Sequence, residues 1–499
     1  AGRIPAGYLS TSATVELPMT QARSVLAIGQ DMGWCMLPDT INSTVILSAD
    51  CSPYYSRGNV LITKTGRLQA APGVEIRMAE NANIQVEGAL QLKGRPDLPI
   101  RIDAAGTAWG AIVARNAADT LVLEQVVIKN ASRGANPTTE NAALSLFHTK
   151  ARFDKLDITD VHHNPILAKY SDVILLNSRL HSKITGDLIN VKYGKGYIAH
   201  CVFRGNGMPD TDAIDYDEVD GGVVRNSLFH DFHGFNSDAI DIGEQAQHIS
   251  IDSIVVYNIT DKGISVGQQS TATISNAYFI NCNLGIAAKD STHVRGDRLT
   301  FYGTNTPVAA YEKNIGSAGG NMVITRSVLS NANDTPFVLD NKSRLRFEAS
   351  FTDTGVLPDS LANFTGDPLF ESPNTLNFQL QAGSPLLANG QQLAGATFVP
   401  GFELPAMPVI STLYMGDSDT QDAEFIFIEN PGDKALDISG YTFTEGIEAV
   451  VPTPTILAAG ERIIFTNMPA DAFWNDFAGQ RIVAYTAGRL NNTGEKLTL

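Results

Sequence analysis

The chain has 499 residues, of which 43% are hydrophobic, and it carries a formal net charge of -17 at pH 7. This charge excludes a nucleic-acid partner, because a phosphate backbone needs a basic groove. The sequence contains no run of about 18 apolar residues, so no membrane span is expected. Its length suffices for one long domain with its own core and a smaller second domain.

Residues 1–40 precede the first repeats and are predicted to form an N-terminal cap, since the open end of a stack of strands exposes unpaired backbone groups. The chain starts at Ala1 without a methionine or a hydrophobic signal peptide, which suggests an exported protein whose signal has been removed. Cys35 and Cys51 flank a short segment and could form a disulfide, which also favours export. Cys201 and Cys282 lie within apolar runs and are expected in the core.

A pentapeptide returns along the middle of the chain as DLINV, DAIDY, DAIDI, KGISV and LGIAA. Its central residues recur at intervals of 22 to 26 and are Ile189, Ile214, Ile240, Ile264 and Ile286. This is the period of a solenoid with one such strand per coil. A second alternating strand lies between the copies, with a polar residue of constant phase at Asn177, His200, Asn226, Asp252 and Asn276.

These polar residues are predicted to stack as a ladder at a coil corner, with His200 in a structural role. The period is too short for alternating strands and helices. Residues 41–400 are therefore predicted to form an all-β parallel β-helix.

The last hundred residues change character after the linker FVPGFELPAMPV. The segments AEFIFIENPGDKALDISGYTFTEG, ILAAGERIIFT and LNNTGEKLTL resemble the lamin-tail family. The resemblance implies an immunoglobulin-like β-sandwich over residues 401–499. The family pattern usually continues past its GEKLTL strand, so an incomplete sandwich is expected here.

Side chains alternate along a strand, so residues one and three positions after each inward isoleucine should point outward. The first outward row then reads Ser145, Leu167, Asn190, Asp215, Asp241, Ser265, Ala287 and Ala309. The second reads Phe147, Lys169, Lys192, Asp217, Gly243, Gly267, Lys289 and Tyr311. Lys289 and Tyr311 lie coils away from the acidic residues and are expected on the surface.

The acidic residues of this face are concentrated. Asp215 over Asp241, about 4.8 Å apart, would cost on the order of 1 kcal/mol in water and ~3 kcal/mol at an effective dielectric near 20. A divalent cation, a lysine bridge between coils or a shared proton is needed to compensate. The candidate metal ligands are Asp212, Asp215, Asp217 and Asp241, with calcium as the expected ion, although the DTDAIDYDEVD run is also compatible with a plain acidic turn.

The loops that lead into these strands carry His162, His163, His181, Lys183, Arg204, His230 and His233. They are predicted to border the same strand face. Outward charges on a solenoid are by default a solvated surface, but the convergence of histidines, lysines and carboxylates on a few coils favours a functional site. Tyr170 and Tyr193 each follow a lysine of the second row and could either pack a turn or stack on a sugar.

Over about residues 41–400 the chain resembles the pectate-lyase-like superfamily of secreted right-handed parallel β-helices, and GDPLFESPNTLNFQLQAGSPLLANG is similar to the closing segment of many of them. The resemblance implies an acidic polysaccharide bound along this strand face. The chondroitinase-B and alginate-lyase group carries calcium-binding acids, a lysine base five residues after one of them and an arginine one coil further on. Asp187 and Lys192 have that spacing, whereas Asp217 takes the arginine's place.

Elimination from a uronate needs a neutralised carboxylate and a base for the C5 proton. The uronate carboxylate could be neutralised by calcium, Arg204 or Lys169. The base that takes the C5 proton could be Lys192, Tyr193, His181 or His233. The expected substrate-binding residues are Asn190, Tyr170, His163 and His230.

The polygalacturonase group instead has the series NTDG, DD, GHG and RIK. This chain offers DTDAID, NSDAID, DKGISVG and AAK, so Asp212 and Asp238 fall near the acid positions, while Ser237 and Lys262 depart from the pattern and the arginine is absent. The first expectation is a monomeric, secreted or cell-surface lyase acting on a uronate-containing polysaccharide, with or without sulfate. The alternatives are a glycoside hydrolase with paired aspartates and a non-catalytic carbohydrate-binding or adhesion protein.

Overall fold

A computed structural model describes residues 35–353, 355, 357, 360–373, 376–398, 408–414, 423–432, 435–443, 446–468, 481–485, 487–490 and 497. Most of the predicted cap, the centre of the linker and most of the GEKLTL strand lie outside these residues. The described residues fall into two compact units, those within residues 1–368 and 385–401, and those within residues 369–384 and 402–499. In the described part, no helix is long and apolar enough to cross a membrane.

The first unit is a parallel β-helix whose coils each contribute strands to three sheets, which confirms the predicted all-β class. The first sheet, called here the face sheet, consists of Thr40–Ile41, Val60–Ile62, Ile84–Val86, Ile112–Arg115, Ala142–Phe147, Asn164–Lys169, Ile189–Lys192, Ile214–Asp217, Ile240–Gly243, the second halves of Val255–Val266 and Thr271–Lys289, Thr306–Tyr311 and Phe337–Leu339.

The second sheet follows the face sheet within each coil. It consists of Thr44–Leu47, Arg67–Ala70, Ala89–Lys93, the first halves of Leu121–Lys129 and Lys150–Asp160, Asp172–Leu176, Lys195–Ala199, Val223–Arg225, Ile249–Asp252, the first halves of Thr271–Lys289 and His293–Tyr302, Asn321–Thr325, Arg344–Glu348 and Ser360–Leu361.

The third sheet completes the coil before a loop returns to the face sheet. Its strands are Cys35–Met36, Tyr54–Tyr55, Glu75–Met78, Ile100–Ala104, the ends of Leu121–Lys129 and Lys150–Asp160, Arg179–His181, Val202–Arg204, Leu228–Phe232, parts of Val255–Val266, Thr271–Lys289 and His293–Tyr302, Val328–Ser330, Phe351–Thr352 and Phe364–Thr365. One short 3-10 helix, Ala49–Cys51, lies near the N-terminal end.

The central isoleucines of the pentapeptides stack inward as predicted. Ile189 pairs with Ile214, Ile214 with Ile240, and Ile240 with Ile264, and all four are fully buried. Each buried isoleucine contributes about 1.5–3 kcal/mol of hydrophobic stabilisation. This inward column fixes the register, so the alternate residues of every face strand must point outward.

Two corners of the coil are built from residues with left-handed backbone. After the face strands these are His148, Tyr170, Tyr193, Glu218, Glu244, Gln268 and Asp290. After the second sheet they include Asn177, His200, Asn226, Ser253 and Asn276. The predicted corner ladder is confirmed at four positions, but Asp252 is wrong by one residue because Ser253 takes the left-handed turn.

The backbone hydrogen bonds at this second corner come from the residue that follows it. Ser178 Oγ accepts from the backbone N–H of Leu156 at 3.0 Å, and Ser227 Oγ accepts from that of Cys201 at 3.1 Å. Cys201 and Cys282 are buried free thiols, as predicted. Cys35 and Cys51 form the predicted disulfide, with their Cα atoms 5.7 Å apart.

The second unit is also built from strands. Val409–Tyr414, Phe425–Glu429, Arg462–Thr466 and Arg481–Ala484 form one sheet, while Leu436–Asp437 pairs with Ile456–Leu457 and Ile447–Glu448 pairs with Ala487–Gly488. Its core contains Ile426, Ile428, Phe443, Leu457 and Phe465. A second, smaller cluster contains Ala423, Phe425 and Ile464. These small sheets are consistent with the expected immunoglobulin-like architecture. Two further hairpins are Phe370–Ser372 with Asn377–Leu380 in the second unit, and Leu387–Ala388 with Gln391–Gln392 in the first.

Candidate active site on the face sheet

The predicted outward rows exist in register. Asn190 pairs with Asp215, Asp215 with Asp241, and Asp241 with Ser265. In the second row Lys169 pairs with Lys192, Lys192 with Asp217, and Asp217 with Gly243. Lysines and carboxylates therefore meet on neighbouring coils, as the repeat spacing indicated.

A column of acids precedes these rows, at the start of three successive face strands. Asp187 Oδ1 accepts the backbone N–H of Asp212 at 3.4 Å, and Asp212 Oδ1 accepts that of Asp238 at 2.6 Å. Asp238 Oδ1 accepts the backbone N–H of Lys262 at 3.0 Å. Each of these carboxylates thus accepts a backbone hydrogen bond from the next coil. This shared role explains why an aspartate recurs two residues before the central isoleucine of the pentapeptide.

Lys262 ends this column of acids. Its Nζ lies 3.1 Å from Asp238 Oδ1 and 2.7 Å from Asp261 Oδ2, and the Lys262–Asp238 pair is buried. Burial opposes the charged amine, but the charges of Asp238 and Asp261 outweigh it and raise the pKa of Lys262. Lys262 is therefore a charged structural residue. The polygalacturonase series has a histidine at this position, and that comparison did not predict this role.

Burial weakens several of these acids. It raises the pKa of both Asp187 and Asp238 to about 7. It also raises the pKa of Asp212 and Asp215 well above the ordinary range, with neighbouring aspartates adding to the effect. The face sheet is consequently much less negative at neutral pH than its count of aspartates suggests.

Asn190 lies in the middle of the acidic group. Its Nδ2 donates to Asp215 Oδ2, and also to Asp187 Oδ2 at 3.4 Å. Its Oδ1 is buried and has no hydrogen-bond partner among the described residues. A buried amide oxygen without a donor is costly, so this atom marks a position where a ligand would be stabilised.

Lys192 is held by two carboxylates, since its Nζ contacts Glu244 and lies 3.4 Å from Asp217 Oδ2. Burial opposes the charged form, but the hydrogen bond with Glu244 and the charge of Asp217 raise the pKa of Lys192. Lys192 therefore stays charged at neutral pH. Of the two roles predicted for it, this favours neutralising a substrate carboxylate over accepting a proton.

An aromatic stack runs along the first corner. The rings of His148 and Tyr170 are 4.9 Å apart and those of Tyr170 and Tyr193 4.7 Å apart, each pair nearly parallel. Lys169 Nζ lies 5.8 Å from the Tyr170 ring and 5.6 Å from the Tyr193 ring. Both faces of Tyr170 are covered by neighbouring rings, so it cannot stack on a sugar as one reading of the sequence had it.

The corner continues beyond Tyr193 with acids and amides. Burial and the neighbouring Glu218 raise the pKa of the Tyr193 phenol, so it stays protonated at neutral pH and suits a hydrogen-bond donor. Further along, a polar cavity of about 340 Å³ is lined by Glu218, Glu244, Gln245, Gln268, Gln269, Asp290 and Ser317. It follows the edge of the face sheet.

The loop histidines form a separate cluster. His181, Arg204 and His230 are in register on the third sheet, each followed by the loop that leads back to a face strand. His181 Nδ1 lies 3.0 Å from the Arg204 carbonyl oxygen, and His230 Nδ1 lies 2.8 Å from Asp231 Oδ2. His233 Nε2 is 3.9 Å from the same carboxylate. Their contacts therefore run along the third sheet and not to the aspartates of the face sheet.

Three of the loop histidines, His163, His181 and His233, have lowered pKa values. Burial lowers the pKa of His181 and of His233, with the charge of Arg204 adding to it. Burial and Arg133 also lower the pKa of His163, whose carbonyl oxygen accepts from Ser182 at 3.3 Å. The structure thus separates the predicted site residues into two groups. Lys169, Asn190, Lys192, Tyr193 and the aspartates lie along the face sheet and its first corner, whereas His181, Arg204 and His230 lie on the third sheet, with His233 directly after the strand Leu228–Phe232.

Lys289 is the residue that sequence reasoning missed. It was expected on the surface, but only 5% of it is exposed, and its Nζ donates to Ser265 Oγ at 2.6 Å. The expectation was wrong because the two preceding residues of its row are Gly243 and Gly267, which leave room for the side chain to lie back along the face. Two successive glycines in an outward row were the signal that could have found it.

The calcium hypothesis needs oxygen ligands that are free of other partners. In the described ranges no three histidine, cysteine, aspartate or glutamate side chains are placed to hold a metal ion together. Asp212 already binds a backbone N–H and Asp217 already contacts Lys192. Asp215 Oδ2 accepts from Asn190 Nδ2, so the oxygens that would fit a hard cation are Asp215 Oδ1, the Asp241 carboxylate and the unpartnered Asn190 Oδ1.

No family model matches the sequence, and no curated protein matches it either. Among solved structures, the periplasmic alginate epimerase AlgG is 10% identical, with a TM-score of 0.45 over 65% of this chain and 84% of that one. An alginate lyase from Paenibacillus sp. strain FPU-7 is 13% identical, with a TM-score of 0.31 over 65% and 98%. A PL6-family polysaccharide lyase from Pseudopedobacter saltans is 14% identical, with a TM-score of 0.34 over 72% and 100%. Likenesses at these identities and scores do not identify an activity.

Proposed function

We propose that the protein is a polysaccharide lyase that cleaves a uronate-containing polymer by β-elimination on the face sheet. The observation that carries this proposal is Lys192, a lysine kept charged by Glu244 and Asp217 within an outward row. Such a cation can neutralise the carboxylate of a uronate and so make its C5 proton acidic. The raised pKa values of the buried aspartates reduce the negative charge that an anionic chain would otherwise meet here.

In this reaction a base takes the C5 proton, the C5–H electron pair forms the C4=C5 double bond, and the C4–O bond breaks. Lys192 holds the carboxylate, and the phenol of Tyr193 beside it donates a hydrogen bond to the sugar. Lys192 Nζ lies 5.5 Å from the Tyr193 ring, so one sugar unit can contact both groups.

A divalent cation such as calcium would be held by Asp215, Asp241 and Asn190 Oδ1, and it would supply a second positive charge for the substrate carboxylate. We further propose an extracytoplasmic location, in line with the Cys35–Cys51 disulfide. We also propose that the second unit is related to the lamin-tail family, that the protein is monomeric and that it accepts sulfated chains.

The test is a panel of purified anionic polymers that includes alginate, polygalacturonate, hyaluronan and chondroitin sulfate. The ultraviolet absorbance of the unsaturated uronate is followed together with the release of reducing ends. Elimination produces both signals in step on at least one polymer. Reducing ends without the absorbance contradict a lyase, and neither signal on any polymer, with binding retained, indicates a non-catalytic protein.

Hydrolysis is the second candidate, because burial raises the pKa of Asp215, as a general acid requires, and Asp215 pairs directly with Asp241 on the next coil. A coil spacing of about 4.8 Å is close to the roughly 5–5.5 Å between the carboxyl groups of retaining glycosidases, and short of the larger inverting separation. A carboxyl separation of that size would predict a retaining hydrolase, which the stereochemistry of the first product tests.

A further inference from the structure

The lysines of the face sheet differ in what surrounds their amines. Lys192 and Lys262 each contact two carboxylates. Lys289 is as buried as Lys262, yet the partner of its Nζ is the neutral hydroxyl of Ser265. Among the described side chains no carboxylate forms a salt bridge with it. Such surroundings shift an amine toward its uncharged form, which can accept a proton.

A gap in the second outward row lies beside this amine. Gly243 and Gly267 directly follow the registered pair Ile242 and Val266, and Lys289 follows them one coil further on. A Cβ at Gly267 would lie 3.4 Å from Cε of Lys289, and a Cβ at Gly243 would lie 2.8 Å from Oε1 of Gln268 and 3.5 Å from Oδ1 of Asp217. The Lys289 side chain and the Gln268 amide therefore lie against the two glycines, in the part of the row between the Asp217 carboxylate and the Lys289 amine.

The two lysine nitrogens reach toward this gap from opposite sides. Lys192 extends forward along the axis to Glu244, in the coil of Gly243, and Lys289 extends back to Ser265, in the coil of Gly267. At about 4.8 Å per coil their nitrogens are roughly 5–10 Å apart along the axis, which is the size of one sugar unit.

We propose that Lys289 is the general base of the reaction and that the uronate to be cleaved lies over Gly243 and Gly267, with its carboxylate on Lys192. This inference rests on the proposed function. The neutral amine takes the C5 proton, the C5–H electron pair becomes the C4=C5 double bond, and the C4–O bond breaks. The ammonium just formed returns its proton to the leaving oxygen, so no further reactant is needed.

The charged groups that act on Lys289 have opposing effects. Burial lowers its pKa, and the positive charges of Lys313 and Lys262 act in the same direction. The carboxylates of Asp241 and Asp238 act against them. The net result is a pKa below the ordinary lysine value, whereas the pKa of Lys192 is raised. The two lysines are thereby suited to opposite parts of one elimination.

The experiment compares Lys289→Met, Lys289→Ala and the control Lys195→Met, an exposed lysine on the second sheet, on the polymer that the wild-type enzyme cleaves. We expect turnover to fall by about 100-fold or more in both Lys289 variants, the usual loss when a general base is removed, and to stay near wild type in the control. In Lys289→Ala, added primary amines should restore part of the activity in proportion to their basicity. A purely structural lysine would not respond to amines in this way.

Near-wild-type turnover of Lys289→Met would overturn the assignment, and so would a folded Lys289→Ala enzyme whose lost activity no amine restores. If both variants fail to fold, the pH dependence of wild-type kcat/KM decides, because a lysine base requires it to rise with pH to a plateau that sets in below the ordinary lysine pKa. An enzyme whose kcat/KM does not rise with pH contradicts the base. Failure of the proposed function is a different result, since the wild-type protein would then release no unsaturated ends from any polymer.

Discussion

Lys262 Nζ lies 3.1 Å from Oδ1 of Asp238, and its own backbone N–H donates to that same oxygen. One residue thus binds the end of the acidic column twice, through its main chain and its side chain. The pair is buried, so neither charge can be compensated by water if the other is removed.

Replacing Lys262 by methionine should therefore lower the free energy of unfolding by about 3–5 kcal/mol, the usual cost of leaving one partner of a buried ion pair alone. Urea denaturation followed by circular dichroism measures this loss. Adding Asp238→Asn should recover part of it, since the uncompensated acid is then gone. A loss below about 1 kcal/mol in the single variant would show that the pair is not isolated from solvent.

The buried acids predict a pH dependence of stability. The folded-state pKa of Asp187 is raised from the ordinary value of 3.8 to about 7. Its stabilisation of the fold is fully present below the unfolded pKa and is lost as pH rises through the folded pKa, because the folded state holds the proton longer.

Stability should therefore fall between about pH 4 and pH 7, the opposite of ordinary acid denaturation. Asp187→Asn should flatten this part of the curve by at least about 1 kcal/mol, since each pKa unit is worth about 1.4 kcal/mol. Denaturant midpoints at both pH values provide the measurement, with the exposed Asp220→Asn as control. A wild-type curve that rises with pH over this range would contradict the raised pKa.

Calcium removal tests the metal proposal. If Asp215, Asp241 and Asn190 hold a cation, a chelator should lower both Tm and turnover, and added calcium should restore them. Asp215→Asn should be insensitive to the chelator, whereas Asp220→Asn should respond like the wild type. A wild-type enzyme whose Tm and activity are both unchanged by chelation has no such site.

Tyr170 should be a packing residue. Because neighbouring rings cover both its faces, Tyr170→Ala should lower stability by about 0.5–1.5 kcal/mol per lost ring pair, with KM for the polymer changed by less than about threefold. Thermal unfolding and steady-state kinetics on the same preparation separate the two effects. A large rise in KM at unchanged stability would instead place a sugar on this ring.

The repeat spacing was enough to predict the inward isoleucines and the outward rows, because a period-2 strand in a stacked coil leaves no freedom in where its side chains point. The spacing could not predict the positions of the loop histidines. His181 and His230 lie near the face strands in the sequence, but the coil turns a corner between the third sheet and the face sheet, and their registered neighbours are Arg204 and Tyr257.

The charge states of the lysines could not be predicted from the sequence either. The sequence shows Lys192 and Lys289 as equivalent members of one row, and their difference arises from three-dimensional surroundings. Glu244 reaches Lys192 across two coils, whereas burial and a serine hydroxyl surround Lys289. Lys192, which the sequence spacing suggested as a possible base, is therefore the lysine that keeps its proton.

Lys192 provides the most direct test of the face sheet. It lies in an outward row and its contacts with Asp217 and Glu244 are partly exposed, so Lys192→Ala should cost little stability. Its turnover should fall by at least ~100-fold, because the substrate carboxylate loses its fixed cation in the transition state. Lys192→Arg should retain more activity than Lys192→Ala, since the charge is kept. Lys195→Ala, an exposed lysine on the second sheet, is the matched control and should turn over normally. A folded Lys192→Ala enzyme with near-wild-type turnover on its polysaccharide would place the active site on another surface.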